Sequence, residues 1–157
     1  METPCRAQGA CYIGHRRVIA LPFIPFLTFD GTAEAALKFY ADVFSATELQ
    51  IIRYSDAPAE EKLPPSDRVM YGHIMLGEHC LMADDSMPGM EFVPQASVAV
   101  NHPVKTAEQG QKIFDRLAEG GTVTMPYGPV FFAPAFGMVT DRFGTAWMVG
   151  VLETSGG

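Results

Sequence analysis

The chain has 157 residues, a composition that is 48% hydrophobic and 18% charged, and a formal net charge of −7. This length predicts one domain, which can bury a sizeable core without disulfide staples. The acidic balance argues against nucleic acid as a partner, because the phosphate backbone is itself negative. Three cysteines, at positions 5, 11 and 80, show neither a disulfide framework nor zinc spacing, which indicates a reduced, cytoplasmic chain.

The first 21 residues are predicted to be a lead-in that precedes a single domain over 22–153. The stretch HRRVIALPFIPFLTF (15–29) superficially resembles a twin-arginine export signal, but two prolines interrupt its apolar run and no small-residue cleavage site follows. We therefore expect the first strand of the domain here. The chain lacks an unbroken apolar run of about 18 residues, so a membrane partner is not expected.

Two segments repeat at a fixed offset of 74 residues: TAEAALKFY (32–40) and TAEQGQKIF (106–114). In each, residues three or four apart form the stripe of an amphipathic helix, at 36, 39, 40 and 43 and at 110, 113, 114 and 117. Asp30 is the predicted N-cap of the first helix, and Thr106 or a neighbour that of the second. Gly120 and Gly121 are predicted to end the second helix.

An extended apolar segment precedes each helix and three strand candidates follow it, so the order β-α-β-β-β occurs twice. The predicted strands are 22–29, 48–54, 68–76 and 79–83, then 96–100, 122–125, 136–140 and 146–152. Alternation places Val69, Tyr71 and His73 on one face of their strand. The aromatic segment 127–137 contains two prolines and is interpreted as a loop. This loop lines a ligand cavity, forms a dimer contact or belongs to the hydrophobic core.

The predicted fold class is α+β, with two βαβββ modules over 22–84 and 95–153 that form a curved mixed sheet. The segments FLTFDGTAEAALKFYADVF (26–44), GEHCLMADDSMP (77–88) and FGMVTDRFGTAWMVG (136–150) occur in the order typical of one superfamily. Residues 22–152 thus resemble the vicinal oxygen chelate superfamily, the glyoxalase, bleomycin-resistance and dioxygenase fold, and its PhnB-like branch. The resemblance implies a small-molecule cavity between cup-shaped sheets and a homodimer.

Some PhnB-like proteins carry a 3-demethylubiquinone-9 3-methyltransferase label. A methyl donor usually lies over a glycine-rich turn between a strand and a helix of a doubly wound sheet, and the sequence offers neither that turn nor that order of elements. The label therefore does not lead us to expect a methyltransferase.

The resemblance also implies where a divalent metal would bind in metal-dependent members, on the first and fourth strands of each module. Those positions are Pro25, Leu81 or Met82, a residue within 95–97, and Met148. Gln95 alone could coordinate a hard ion there, so we expect no metal and no other cofactor, with a divalent metal as the alternative.

We therefore expect a metal-independent protein that binds a small molecule. Its predicted cavity is lined by Leu27, Tyr71, His73, Met82, Phe132, Trp147 and Met148, with His73 and Asp84 as the polar groups that orient the ligand. The alternatives are a metal-dependent lyase, isomerase or dioxygenase, a metal-free acid–base enzyme with His73 as its catalytic residue, and a pure dimerisation or regulatory module.

Two pairs of polar residues leave alternatives open. His73 and His79 stand on adjacent predicted strands, where they form a proton-transfer pair or lie on opposite sides. Asp84 and Asp85 form a paired carboxylate site or simply end a strand in solvent. The sequence does not decide which histidine faces the cavity.

Overall fold

The computed structural model describes residues 23–151 in full, together with the backbone of the strands β1 (Ala10–Ile13) and β2 (Arg16–Ile19). β1 and β2 pair antiparallel as a hairpin, in the lead-in where the sequence predicts no strand. Residues 1–9, 14–15, 20–22 and 152–157 lie outside the described residues. The domain limits at 22 and 153 therefore stay a prediction.

The first module is a four-stranded sheet, sheet one, with one helix on one face. Its strands lie in the order β3-β6-β5-β4, with β3 parallel to β6 and the other pairs antiparallel. Its elements are β3 (Phe26–Phe29), α1 (Ala33–Val43), β4 (Glu48–Arg53), β5 (Val69–Leu76) and β6 (His79–Asp85). Gly72 on β5 allows α1 to approach closely, because a Cβ there would meet the Leu37 side chain.

The second module repeats this arrangement in sheet two, with the strand order β7-β10-β9-β8 and β7 parallel to β10. Its elements are β7 (Val100–Val104), α2 (Ala107–Ala118), β8 (Thr122–Val130), β9 (Ala133–Thr140) and β10 (Ala146–Val151). The α+β class and the two βαβββ modules are confirmed.

The sequence repeat corresponds to the two helices. Residues of both predicted apolar stripes are buried: Ala36, Phe39, Tyr40 and Val43 on α1, and Gly110, Ile113, Phe114 and Leu117 on α2. Each helix also carries the same ion pair one turn apart, Glu34 with Lys38 and Glu108 with Lys112. The 74-residue offset is thus a structural duplication.

Two strand predictions were wrong in position. β7 spans 100–104 rather than 96–100, because its pairing with β10 begins at Val100, and Val98 is exposed. The aromatic segment 127–137 is a hairpin of β8 and β9 rather than a loop. β8 is an edge strand, whose outer side needs no ladder hydrogen bonds, so its exposed prolines are tolerated.

Two local predictions failed and one is confirmed. Asp30 does not cap α1; it pairs with Arg68 at 2.7 Å, and the Ala33 N–H at the helix start donates instead to Asp85. Val69 does not share a face with Tyr71, because a bulge opposite Ile52 and Arg53 reverses the alternation there. Thr106 does cap α2, accepting a hydrogen bond from Gln109 N–H.

The helix-covered faces of the two sheets turn toward each other. Tyr40 on α1 donates a hydrogen bond of 2.7 Å to Asp141, and its ring packs on Trp147 of sheet two. Phe44, which follows α1, contacts both Trp147 and His102 of sheet two. The helices and core side chains therefore fill the space between the sheets, and the opposite face of each sheet points outward. We call these outward surfaces open face one and open face two.

Candidate functional site

Open face one brings together four of the predicted site residues. His73 pairs with Met82 across β5 and β6, and strand alternation places Tyr71 and Asp84 on the same side. Thr28 and Phe26 on the parallel strand β3 pair with Asp84 and Met82 and join this face. The face is therefore a mixture of polar groups and apolar side chains.

His73 is half-buried on this face and only partly satisfied. Its Nε2 lies 3.4 Å from a Glu48 carboxylate oxygen, and its ring centroid lies 5.7 Å from that of Tyr71. Its Nδ1 is buried and has no hydrogen-bond partner among residues 23–151. A buried polar atom without a partner costs free energy, so Nδ1 is a position where a ligand could bond.

Asp84 presents a second buried, unpaired atom to the same face. Its Oδ1 has no hydrogen-bond partner among the described side chains and backbone groups. Burial raises the pKa of the Asp84 carboxyl, the Thr28 hydroxyl lowers it, and the neighbouring Asp85 charge adds to the rise. A ligand group that donates a hydrogen bond or carries positive charge would satisfy this carboxyl.

Asp85 and His79 do not belong to this face. Asp85 is buried under α1, where its carboxylate accepts hydrogen bonds from the N–H groups of Ala33 and Val69. Asp84 and Asp85 are therefore not a paired carboxylate site. His79 pairs with Leu76 and has the opposite parity to His73, so the two histidines lie on opposite sides of sheet one and form no proton-transfer pair.

Open face two holds two further predicted residues in apolar surroundings. Met148 pairs with Met138, which in turn pairs with Met125, so three thioethers cross adjacent strands. Phe132 lies at the β8–β9 turn, and its ring packs edge-on against Phe136 at 5.3 Å. This face offers soft, adaptable apolar contacts.

Leu27 and Trp147 lie apart from the other predicted residues. Both side chains are on the helix-covered sides of their sheets, 5% and 2% exposed. The Trp147 indole N–H donates to Asp141 at 2.8 Å. Alternation separates Trp147 from Met148 although they are neighbours in the chain. Within one chain the predicted set is thus divided among three surfaces, and its roles in binding stay predictions.

The residues present do not fit a divalent metal. The expected ligand positions Pro25, Leu81 or Met82, and Met148 carry no carboxylate and no imidazole. On the open faces of the first and fourth strands of the two modules, Asp84 is the one carboxylate and there is no imidazole. Hard divalent ions prefer such oxygen and nitrogen donors. Gln95 precedes β7 and donates to the Thr28 carbonyl at 3.5 Å. Within the described residues, no group of three or more His, Cys, Asp or Glu side chains could hold a metal.

A cavity of about 410 Å³ lies elsewhere, between the helix-covered faces of the two sheets. We call it the inner cavity. Trp147 alone among the predicted cavity residues lines it, and sequence reasoning missed Phe44 and His102, which also do. Two sequence signals could have identified these residues as lining the inner cavity. Phe44 directly follows the apolar stripe of α1, and His102 alternates in phase with the apolar residue Val104 on β7.

The double βαβββ architecture and these surfaces can be compared with known proteins. A family described as "3-demethylubiquinone-9 3-methyltransferase" matches residues 22–150. The chain belongs to this family. The described sheets are four-stranded and mixed rather than doubly wound, so they provide no methyl-donor site of the usual kind.

Relatives of similar length support the assignment. Protein YjdN of Escherichia coli is 27% identical over 143 residues, which is 85% of this chain and 97% of that protein. The crystal structure of PA1353 from Pseudomonas aeruginosa is 34% identical, with a TM-score of 0.77, and covers 84% of this chain and 98% of its own. Both matches span nearly all of the relative.

The resemblance predicted from the sequence is confirmed by this family match over residues 22–150, and two further structures share its fold. A Bacillus cereus structure described as a putative 3-demethylubiquinone-9 3-methyltransferase, PhnB protein, is 24% identical with a TM-score of 0.68, and covers 84% of this chain and all of its own. A glyoxalase-related enzyme from Fulvimarina pelagi is 18% identical with a TM-score of 0.55, and covers 84% of this chain and 89% of its own. These two share the fold. In the described part of this chain, neither helix is long and apolar enough to cross a membrane.

Proposed function

We propose that this protein binds a small organic molecule on open face one without a metal. The observation that carries the proposal is the pair of buried, unpaired atoms, His73 Nδ1 and Asp84 Oδ1, on one face of sheet one. Native proteins pair most buried polar atoms, so two on one face favour a bonding partner from outside the chain. The donor set on the open faces, described above, supports metal independence.

The charges of open face one favour a ligand with a positive or hydrogen-bond-donating head. Asp84 and Glu48 are acidic, and neither lysine nor arginine is among the outward residues of β3, β4, β5 and β6. Arg53 at the end of β4 is engaged with Glu34 on α1, and Arg68 before β5 is engaged with Asp30 and Ser86. An anionic ligand would meet only negative charge here.

We further propose that a second copy of the chain closes the site. The two open faces of one chain point away from each other, so they cannot enclose a ligand together. Phe26 on open face one and Phe132 beside open face two are both 51% exposed, and Phe132 belongs to an exposed cluster with Phe131 and Phe136. Contiguous exposed apolar surface of this kind marks protein–protein contacts. A homodimer that sets open face one of one copy against open face two of another would cover both rings.

Such a composite site would be polar on one wall and apolar on the other. The ligand would direct its head toward Asp84 and His73 and its apolar body toward the methionine and phenylalanine side chains of open face two. A reduced, cytoplasmic setting is part of this proposal, in keeping with the odd and scattered set of three cysteines in the sequence.

A second candidate is metal-free acid–base catalysis by His73. It is favoured by the unpaired Nδ1 beside a carboxyl of raised pKa on the same face. His73 could move a proton on a ligand that Asp84 orients. Turnover lost in His73→Gln, with ligand affinity retained, would distinguish this from binding alone.

The test of binding uses two probes that differ in charge, phenethylamine and 3-phenylpropionate. Methionine methyl groups labelled with ¹³C report on both open faces through Met82 and Met148. We expect saturable shifts of Met82 with the amine and none with the carboxylate. Asp84→Asn should lower the affinity for the amine by about tenfold, because one charge-assisted hydrogen bond is lost.

The matched control is Asp115→Asn on the exposed side of α2, which should leave the affinity unchanged. Equal responses to both probes, or an amine affinity that Asp84→Asn does not alter, would contradict the proposal.

A further inference from the structure

The inner cavity exists because α1 is too short to fill the space between the sheets. α1 ends at Val43, Ser45 adopts a left-handed conformation with φ 54°, and the chain turns away toward β4. α2 packs on its own sheet. Beyond Phe44, the helix-covered faces of both sheets are therefore left facing each other across open volume.

The inner cavity is a cleft that opens to solvent, since exposed Phe23 and Ile24 are among the residues that line it. Its volume of about 410 Å³ lies in the range of small-molecule pockets. Its walls include Ile74 and Leu81 from sheet one and Val100 from sheet two. Tyr71, His73, Met82 and Asp84 do not line it, so it is separate from open face one.

One wall of the inner cavity is aromatic. The Phe44 ring lies 4.6 Å from the His102 ring and 4.9 Å from the Trp147 ring, centroid to centroid. Three rings in contact present flat, polarisable surface, against which another aromatic ring packs favourably in an offset or edge-on arrangement.

His102 supplies a polar anchor in this wall. It is half-buried, lines the inner cavity and packs its ring on that of Phe44. Burial lowers the pKa of His102, so the ring is neutral at pH 7 and has one nitrogen free to accept a hydrogen bond. Glu78 at the rim, together with the net charge of −7, disfavours an anionic ligand.

We propose that the inner cavity is a second ligand site, which takes an uncharged aromatic molecule bearing a hydroxyl group that donates to His102. This site belongs to a single chain and does not depend on the dimer or on the ligand of open face one. Because it joins the two modules, its occupant would contact both and stabilise their packing.

The test uses two probes, 2-naphthol and its methyl ether, which differ in the hydroxyl hydrogen. The four histidines provide the readout through their ring Cε1–H resonances in ¹³C-labelled protein, assigned by single substitutions. Saturable shifts of His102 and His79, both of which line the inner cavity, are expected with 2-naphthol, and His73 should not shift.

His102→Phe keeps a ring against Phe44 and removes the acceptor. This substitution should lower the affinity for 2-naphthol by about tenfold, since one hydrogen bond is lost, and leave the affinity for the methyl ether unchanged. Val100→Phe fills the cavity and should abolish the binding of both probes. Val123→Phe, the same change on the edge strand β8, is its control and should alter neither.

Three results would overturn the proposal. They are the absence of any saturable shift at His102, a shift of His73 in its place, and binding of both probes to Val100→Phe with wild-type affinity. Circular dichroism of each variant establishes that it is folded. If His102→Phe does not fold, the comparison of Val100→Phe with Val123→Phe still decides whether the probes bind in the inner cavity.

Discussion

Adjacent aspartates at the end of β6 illustrate how one residue step changes the role of a side chain. The Asp85 carboxylate accepts two backbone hydrogen bonds and holds the start of α1 against the start of β5. Asp84 faces outward with one oxygen unpaired and a raised pKa. Asp85 thus stabilises the fold, whereas Asp84 carries a cost that a ligand would offset.

That cost predicts the pH dependence of Asp84→Asn. A carboxyl whose pKa is raised on folding binds its proton more tightly in the folded state. Ionisation of the carboxyl therefore destabilises the fold as the pH rises from the ordinary aspartate pKa through the raised pKa of the folded state. At pH 7.5, Asp84→Asn should raise the melting temperature by a few degrees at most, since solvent screens a half-buried charge. Near pH 3, below the ordinary aspartate value of about 3.9, the carboxyl is protonated in both states and the gain should be absent.

Thermal unfolding of both proteins at the two pH values measures this effect. A variant that is less stable than wild type at pH 7.5, or one that gains equally at both pH values, would show that the Asp84 carboxylate is satisfied in the folded chain.

At the scale of elements, the β9–β10 turn joins the modules through one side chain. Asp141 accepts hydrogen bonds from the N–H groups of Phe143 and Thr145 within the turn and from the Trp147 indole on β10 of the same module. Across the module boundary it accepts a hydrogen bond from the Tyr40 hydroxyl on α1. Burial and the nearby Asp141 charge hold the pKa of Tyr40 well above its ordinary value, so it remains a donor. The turn between β9 and β10 thereby connects the two modules.

The packing of α2 on β8 depends on a glycine. Gly110 lies against the Tyr127 hydroxyl and Val104, and a Cβ at position 110 would collide with both. The Tyr127 hydroxyl is itself buried without a partner among the described residues. Steric fit rather than hydrogen bonding therefore determines the contact between Gly110 and Tyr127.

Gly110→Ala should destabilise the protein by about 1–3 kcal/mol, the usual cost of overpacking, although alanine is the better helix former. Tyr127→Phe should be nearly neutral because the hydroxyl it removes is unpaired, and in the double variant it should restore part of the loss. Urea denaturation measures each free energy of unfolding. Gly128→Ala, at a site with open space around it, is the control. An unchanged stability in Gly110→Ala would contradict the packing described.

At the scale of the whole molecule, the direction of the two open faces is decisive. The core lies between the sheets, so each chain turns one half-polar and one apolar sheet face outward. The proposed dimer would bury both and would complete a site that no single chain encloses.

The dimer predicts that Phe26→Asp dissociates the protein. The charge would be placed on the edge strand β3 of open face one, where burial against a second copy is expensive. Sedimentation equilibrium should give about twice 17.1 kDa for wild type and a dissociation constant raised by about 100-fold or more in the variant. Val93→Asp, in the exposed connection between the modules, should leave the assembly unchanged. A monomeric wild type would exclude the composite site.

Much of the fold could be predicted because its signals are local and repeated. Apolar residues three or four apart predicted both helices, and a 74-residue duplication fixed their relation. The β7 strand was misplaced because Asn101 and Pro103 look unlike strand residues until their outward direction is known. The aromatic hairpin was missed because proline tolerance depends on β8 being an edge strand, which only the sheet order reveals.

The candidate site was predictable only in part, for a similar reason. Alternation places Tyr71 with His73 on β5 and Met82 with Asp84 on β6, since parity is a property of neighbouring residues in one strand. The register of β5 against β6 brings the two pairs to one face, and their part in binding stays a prediction. The same reasoning could not place Leu27 or Trp147, because the parity of each strand relative to its helix is set by packing. His102 and Phe44 meet across the module boundary, and no local pattern signals such a contact.

The sequence by itself determined the α+β class, the double βαβββ order and the family, because periodicity and motif order are written along the chain. Only the tertiary structure decided that the helices lie between the sheets, that the open faces point apart, and that a cavity remains beyond α1. Those features depend on how two similar modules pack against each other, and the side chains that decide it, Tyr40, Asp141 and Trp147, come together only after folding.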